Sequence, residues 1–179
     1  MEMLAGGGYV TTEAAVRAVE LVAPMIEAAR GDAGVVGSGF LYVVVMDPAL
    51  RPADVRFEEA ILHERGFGDE TRWDADYRSF ARDKARLCWQ YGMDGHRLQT
   101  LEPYRLRGGD SLLWGGVWLD GIAVGASGAF PAYDELFAGA VALGLRAMAK
   151  RAREAAIDSR LTTATGDGGS SPLRVPRPG

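Results

Sequence analysis

The sequence predicts one α+β domain: a mainly antiparallel sheet of about four to five strands, covered by three main helices. Three observations predict it. Apolar residues recur at helical spacing in three separate stretches, opening near Thr11, Trp73 and Pro131. Between the first two stretches lies an apolar run rich in β-branched residues, Phe40 to Met46. Between the last two, Asp120-Gly121 stands between Val117-Trp118-Leu119 and Ile122-Ala123-Val124, the signal of a two-residue hairpin turn. With 179 residues, 47% of them hydrophobic, the chain is of single-domain size and can bury a core of two or three layers.

Along the chain, residues 1–10 read as a flexible lead, 11–156 as the domain and 157–179 as a disordered tail. Thr11 and Thr12, followed by Glu13, supply a side-chain oxygen and an acidic residue for the start of the first helix. That helix would present Val16, Val19, Val22, Ala23 and Ile26 to the core, with a kink at Pro24. Gly31 to Gly39 reads as a loop. Phe40 to Met46 reads as a strand buried on both faces, and a second strand is expected over Val55 to Glu64, where the alternation in "RFEEAILHE" is imperfect. The helical period from Trp73 to Gly92 puts Trp73, Tyr77, Phe80, Lys84, Leu87 and Tyr91 on one face. Gly92 can close that helix in a left-handed conformation, and Asp94-Gly95 follows as a turn. Pro131 suits a first turn, and the last helix would run from Ala132 to about Arg153, its basic end matching the dipole.

Charge and cysteine content exclude several function classes. A net charge of −4, from 20 basic and 24 acidic side chains, provides no field for a phosphate backbone or an anionic membrane. No nucleic-acid or membrane partner is expected. Cys88 is the sole cysteine, so there is no disulfide framework or multi-cysteine metal site, and a cytoplasmic setting fits. The N-terminal stretch lacks a basic segment followed by an apolar one, and no apolar run approaches the roughly 20 residues of a spanning helix. His63 and His96 lie on different elements with no ligand partner at a fitting spacing, so no metal site is expected.

The glycine-rich stretch Ser111 to Phe130 contains no G-x-G-x-x-G between a strand and a helix, which argues against a nucleotide cofactor. Glycines within strands mark a bulge or a close approach, and Gly115, Gly116 and Gly125 qualify. Together with "FARDKARLCWQYG", Phe80 to Gly92, this hairpin and the helix after it resemble the GlcG/HbpS/PduO-like superfamily, the haem-degrading domain family. The resemblance rests on Asp83, Lys84, Ala85, Gly115, Gly116, Asp120, Gly121, Gly125, Ser127, Gly128, Pro131 and Asp134, and covers roughly Thr11 to Ala149. Val117-Trp118 stands where that family commonly has a proline, marking a divergent member. The resemblance implies dimers or larger assemblies and a ligand cleft, with haem or another planar or anionic molecule as the candidate ligand and no axial residue assigned.

Lys84 is the first candidate site residue, because a lysine amid aromatic residues must reach water, a buried carboxylate or a bound anion. Lys84 and Asp134 are the catalytic candidates. Asp134 and its neighbour Glu135 also suit the positive end of the last helix. Tyr77, Lys84, Tyr104, Arg107, Gly115, Gly116, Trp118 and Ser127 are the ligand-binding candidates; Tyr104, Arg105, Arg107 and Asp110 fall in the loop that the resemblance places beside the cleft. Arg78, Arg82 and Arg86 form a like-charged ridge that calls for acidic neighbours, an anionic ligand or plain solvation, and Asp83 can pair with Arg86. The leading functional expectation is a small-molecule binding protein. The alternatives are a cofactor-independent enzyme of a specialised pathway (lyase, isomerase or cyclase-like) and an accessory assembly subunit. A homo-oligomer is expected, with Trp114 and Trp118 in a partly exposed strand.

Overall fold

The computed structural model describes residues 8–165. The readings for 1–7 and 166–179 therefore lie outside the described residues. The helices are α1 (Thr12–Arg30), α2 (Tyr77–Tyr91), α3 (Gly95–Leu101) and α4 (Pro131–Thr165). The strands are β1 (Leu41–Met46), β2 (Ile61–Phe67), β3 (Gly116–Leu119) and β4 (Ile122–Ser127). They form one four-stranded antiparallel sheet in the order β2-β1-β4-β3. The architecture is α+β, as the patterning predicts.

Strand alternation divides the core into two layers. Leu41, Val43 and Val45 of β1, with Ile122, Val124 and Ala126 of β4, pack against Val19, Val22 and Ile26 of α1 and Phe137, Val141 and Leu145 of α4. On the other face Tyr42, Val44, Met46 and Ala123 pack against Ala81, Ala85, Cys88 and Trp89 of α2. Every residue of β1 and β4 is buried, which is why β1 reads as an unbroken apolar run. In the hairpin, Asp120 at φ 52° and Gly121 at φ 91° form the left-handed pair that a type I′ turn requires.

Gly125 fixes how closely helix and sheet approach. A Cβ there would lie 2.3 Å from the Ala81 carbonyl oxygen and 2.5 Å from the Ala85 amide nitrogen. Only hydrogen lets the α2 backbone lie against β4 at this point.

Several boundaries differ from the sequence expectation for local physical reasons. The second strand starts at Ile61, because Phe57 to Ala60 form a 3₁₀ turn that buries both ends of an i, i+3 pair and is tied by the Arg56 amide donating to Glu59 Oε2. The middle helix starts at Tyr77, where Asp76 caps it by accepting from the Ser79 amide, and Trp73 closes the preceding 3₁₀ turn. Gly92 ends that helix at φ 64°, as expected. Asp94-Gly95 opens the short helix α3, whose Leu98 is buried. In α1 the buried face is Ala15, Ala18, Val19, Val22 and Ile26, with Val16 and Ala23 half-buried, and the helix continues past an exposed Pro24. Val10, in the expected flexible lead, is buried. Finally, α4 extends to Thr165, well beyond Arg153 and into the expected tail.

Candidate functional site

Two regions collect the chemistry-bearing side chains. The first is buried between α2, β4 and the start of α4. Lys84 Nζ donates to Asp134 Oδ2 at 2.6 Å and to Ser127 Oγ at 3.3 Å, with side-chain exposures of 4% for Lys84 and 1% for Asp134. The other carboxylate oxygen accepts from the Ala129 amide at 2.9 Å, which pins the turn between β4 and α4. Ser127 faces α2 because it shares the β4 face of Ala123 and Gly125.

The double glycine covers this pair. A Cβ at Gly115, whose φ is 127°, would sit 2.6 Å from Asp134 Cβ and 3.3 Å from Lys84 Nζ. A Cβ at Gly116 would sit 2.8 Å from Cys88 Sγ and 2.9 Å from the Lys84 carbonyl oxygen. Five predicted site residues thus meet: Lys84, Asp134, Ser127, Gly115 and Gly116. Burial pushes the Asp134 carboxyl up to about 6, against the opposing pull of the Lys84 ammonium. Burial also pushes the Cys88 thiol up to about 12, which makes it a packing residue at neutral pH.

The second region is an open cleft at the C-terminal end of α2. Two adjoining depressions, of 540 and 410 Å³, share Pro52, Gln90 and Tyr91 as walls and together make up the groove. The connection after β1 contributes Pro48 and Leu50 to Ala53, the loop after α3 contributes Arg105 and Arg107, and the hairpin contributes Trp118 and Gly121. Trp89 Nε1 donates to the Leu50 carbonyl at 2.8 Å, tying the proline-bearing connection to the helix. The Tyr91 hydroxyl donates to Asp110 Oδ2, which also accepts from the Arg107 amide at 2.8 Å. Burial, and then the hydrogen bond to Asp110, hold the Tyr91 phenol above its usual range.

Arg105 lies over the Tyr91 ring at 5.4 Å and pairs with Glu102 at 2.8 Å. Arg51 and Arg107 form no salt bridge among the described residues, and no carboxylate lines the groove.

The structure separates the remaining candidates. Arg107 and Trp118 line the groove, and the Trp118 amide donates to Asp94 Oδ1 at 2.7 Å. Tyr104 is 80% exposed on a 3₁₀ turn and does not line the groove. Tyr77 bonds Asp74 and packs its ring against Phe40 and Trp73, about two helical turns from Lys84. Arg51, Trp89, Gln90 and Tyr91 escape sequence reasoning as groove residues. The two prolines before Asp54 and the aromatic residues at the end of α2 are their only local signal.

The arginine ridge is neutralised within the chain. Arg78 pairs with Glu70 at 3.1 Å, Arg82 makes two bonds to Glu64 at 2.9 and 2.7 Å, and Arg86 meets Asp83 at 3.5 Å. His96 stacks on Trp114 at 4.6 Å, and half-buried His63 is held below its usual pKa, first by burial. Among the described residues no group of three or more histidine, cysteine or acidic side chains could hold a metal ion. No helix among them is long and apolar enough to cross a membrane.

The fold and sites define an antiparallel α+β domain with a sealed lysine–aspartate pair and a separate arginine-edged aromatic groove. No family model, curated protein or solved structure matches the chain.

Proposed function

We propose that this is a cytoplasmic small-molecule binding protein, a divergent relative of the GlcG/HbpS/PduO-like superfamily, and that it holds a planar organic anion in the groove beside Tyr91. One observation carries the reading. The groove combines aromatic walls, Trp89, Tyr91 and Trp118, with two arginines that form no salt bridge among the described residues, Arg51 and Arg107, and a third, Arg105, paired with Glu102; no carboxylate lines it. Its depressions are within the range of small-ligand sites, roughly 300–1,000 Å³. Guanidinium groups suit carboxylates because their donors form a planar fork.

Haem is one such ligand, and the lining residues fit its carboxylates and flat face. They offer no histidine, methionine or cysteine to its iron, and the Tyr91 hydroxyl is engaged by Asp110. Recognition then depends on the macrocycle and its charges. Catalysis at Lys84 has less support, since the double glycine covers the amine and the pair is almost fully buried. The same convergence of Lys84, Gly115, Gly116, Ser127 and Asp134 supports the family reading, because these motif residues meet in space.

The test is quenching of tryptophan fluorescence by haem, iron-free protoporphyrin and a small aromatic carboxylate. Haem and protoporphyrin should bind within a few-fold of each other, and Arg51→Ala with Arg107→Ala should weaken both by about tenfold or more per arginine. Absence of saturable quenching by all three, or binding of haem alone, overturns the proposal.

A further inference from the structure

The outer face of α4 carries an apolar stripe with no partner among the described residues. Tyr133, Leu136, Ala140, Leu143 and Ala147 follow one another at spacings of three and four, the repeat of a two-helix seam. Tyr133 is 38% exposed, and Leu136 and Leu143 are each 51% exposed. α1 extends this face: Leu21, 66% exposed, has its Cδ2 3.8 Å from where a Gly144 Cβ would lie. Arg146 turns away to Asp120 at 2.8 Å, and the exposed face becomes charged only from Lys150 onward. An uncharged stripe of this length on the surface marks an interaction site.

We propose that this face joins two copies of the chain about a two-fold axis at Ala140, with the α4 helices antiparallel. In that register Tyr133 of one copy meets Ala147 of the other, so the bulkiest residue of the stripe faces a small one. Leu136 lies beside Leu143 of the other copy, offset by about 1.5 Å along the axis, and Ala140 meets itself, allowing close approach at the axis. The helix dipoles also oppose each other. A patch about 26 Å long, from Phe130 to Ala147, and about 20 Å wide across two helices buries on the order of 1,000 Å² in total. That reaches the size at which specific association begins, about 1,000 Å².

The surface differs from the one that Trp114 and Trp118 indicate in the sequence. Trp118 lines the groove and Trp114 is half-buried against His96. The dimer therefore leaves the groove open, and its test is independent of ligand binding.

Sedimentation velocity of the full chain between 5 and 100 µM decides the matter. A species of twice the 19.2 kDa chain mass is expected, and Leu136→Glu and Leu143→Glu should each weaken it at least 100-fold with unchanged circular dichroism. Because both leucines are half exposed, the substitutions leave the core intact. Ala140→Cys should give a disulfide-linked dimer on mild oxidation, since Cys88 is buried. A monomer at 100 µM, a monomer that instead binds lipid vesicles through Leu136 and Leu143, or a dimer unaffected by either glutamate overturns the proposal. So does failure of Ala140→Cys to cross-link.

Discussion

Replacing Lys84 by Met removes a charge from a site where the partner carboxylate is 1% exposed. Breaking a buried pair in this way costs about 3–5 kcal/mol, because the remaining charge loses its compensation. The loss is pH-dependent. In the intact protein burial pushes the Asp134 carboxyl from 3.8 up to about 6, against the pull of Lys84, so between those values the folded state holds a proton that the unfolded chain has released. This group's contribution to stability therefore falls as pH rises through that window. Without Lys84 the folded pKa rises further and the fall continues above pH 6, at about 1.4 kcal/mol per pH unit. With the Asp134 carboxyl of the variant still protonated at pH 8, and the half-protonated native carboxyl losing a little over the same range, the deficit of Lys84→Met relative to the native chain should grow by about 2 kcal/mol between pH 6 and pH 8. Urea denaturation followed by tryptophan fluorescence at pH 5, 6, 7 and 8 measures it. A deficit that is constant with pH, or largest at pH 5, would show that Lys84 does not hold the Asp134 carboxylate in its charged form.

Other consequences are as definite. Gly125→Ala drives a methyl group into the α2 backbone and should cost about 3 kcal/mol, whereas Gly108→Ala, with nothing within 4 Å, should stay within about 0.5 kcal/mol; thermal melts compare the two. Tyr91→Phe removes the bond to Asp110 and should cost about 1 kcal/mol while weakening ligand binding, read by denaturation and by fluorescence titration. Glu64→Gln should cost about 1 kcal/mol at low salt and less at 1 M salt. The Glu64 pKa is lowered chiefly by its hydrogen bond to Arg82, so its stabilisation is present above pH 4.5 and lost as the pH falls through the lowered value; the native and variant denaturation curves should converge in acid.

The legible parts of the fold are those that local pattern determines. β1 is covered on both faces, so its six residues are all apolar, and the Asp120-Gly121 turn needs left-handed residues at two successive positions. Phe57 to Ala60 do not stand out, because two buried residues three apart fit a 3₁₀ turn and interrupt the strand pattern only slightly. The continuation of α4 is propensity at work: beyond Arg153 come Glu154, Ala155 and Ala156, good helix formers, supported by the Arg151–Glu154 pair at 3.1 Å.

At the sites, the helical spacing puts Lys84 amid aromatic residues and leaves water, a carboxylate or a bound anion open as its partner, because the carboxylate it meets lies 50 residues away on another element. The groove is harder still, since Arg51, Tyr91, Arg107 and Trp118 come from four segments that only the folded chain assembles.

On the proposed reading, ligand occupies the groove and leaves the buried pair untouched. Titration of the isotopically labelled full chain with protoporphyrin, followed by amide and indole chemical shifts, tests it most directly. Saturable shifts are expected at Gln90, Tyr91, Arg107 and the Trp118 indole, with Gly115, Gly116 and Ser127 unmoved. Shifts centred on Gly115, Gly116 and Ser127, or none at the groove, would contradict it.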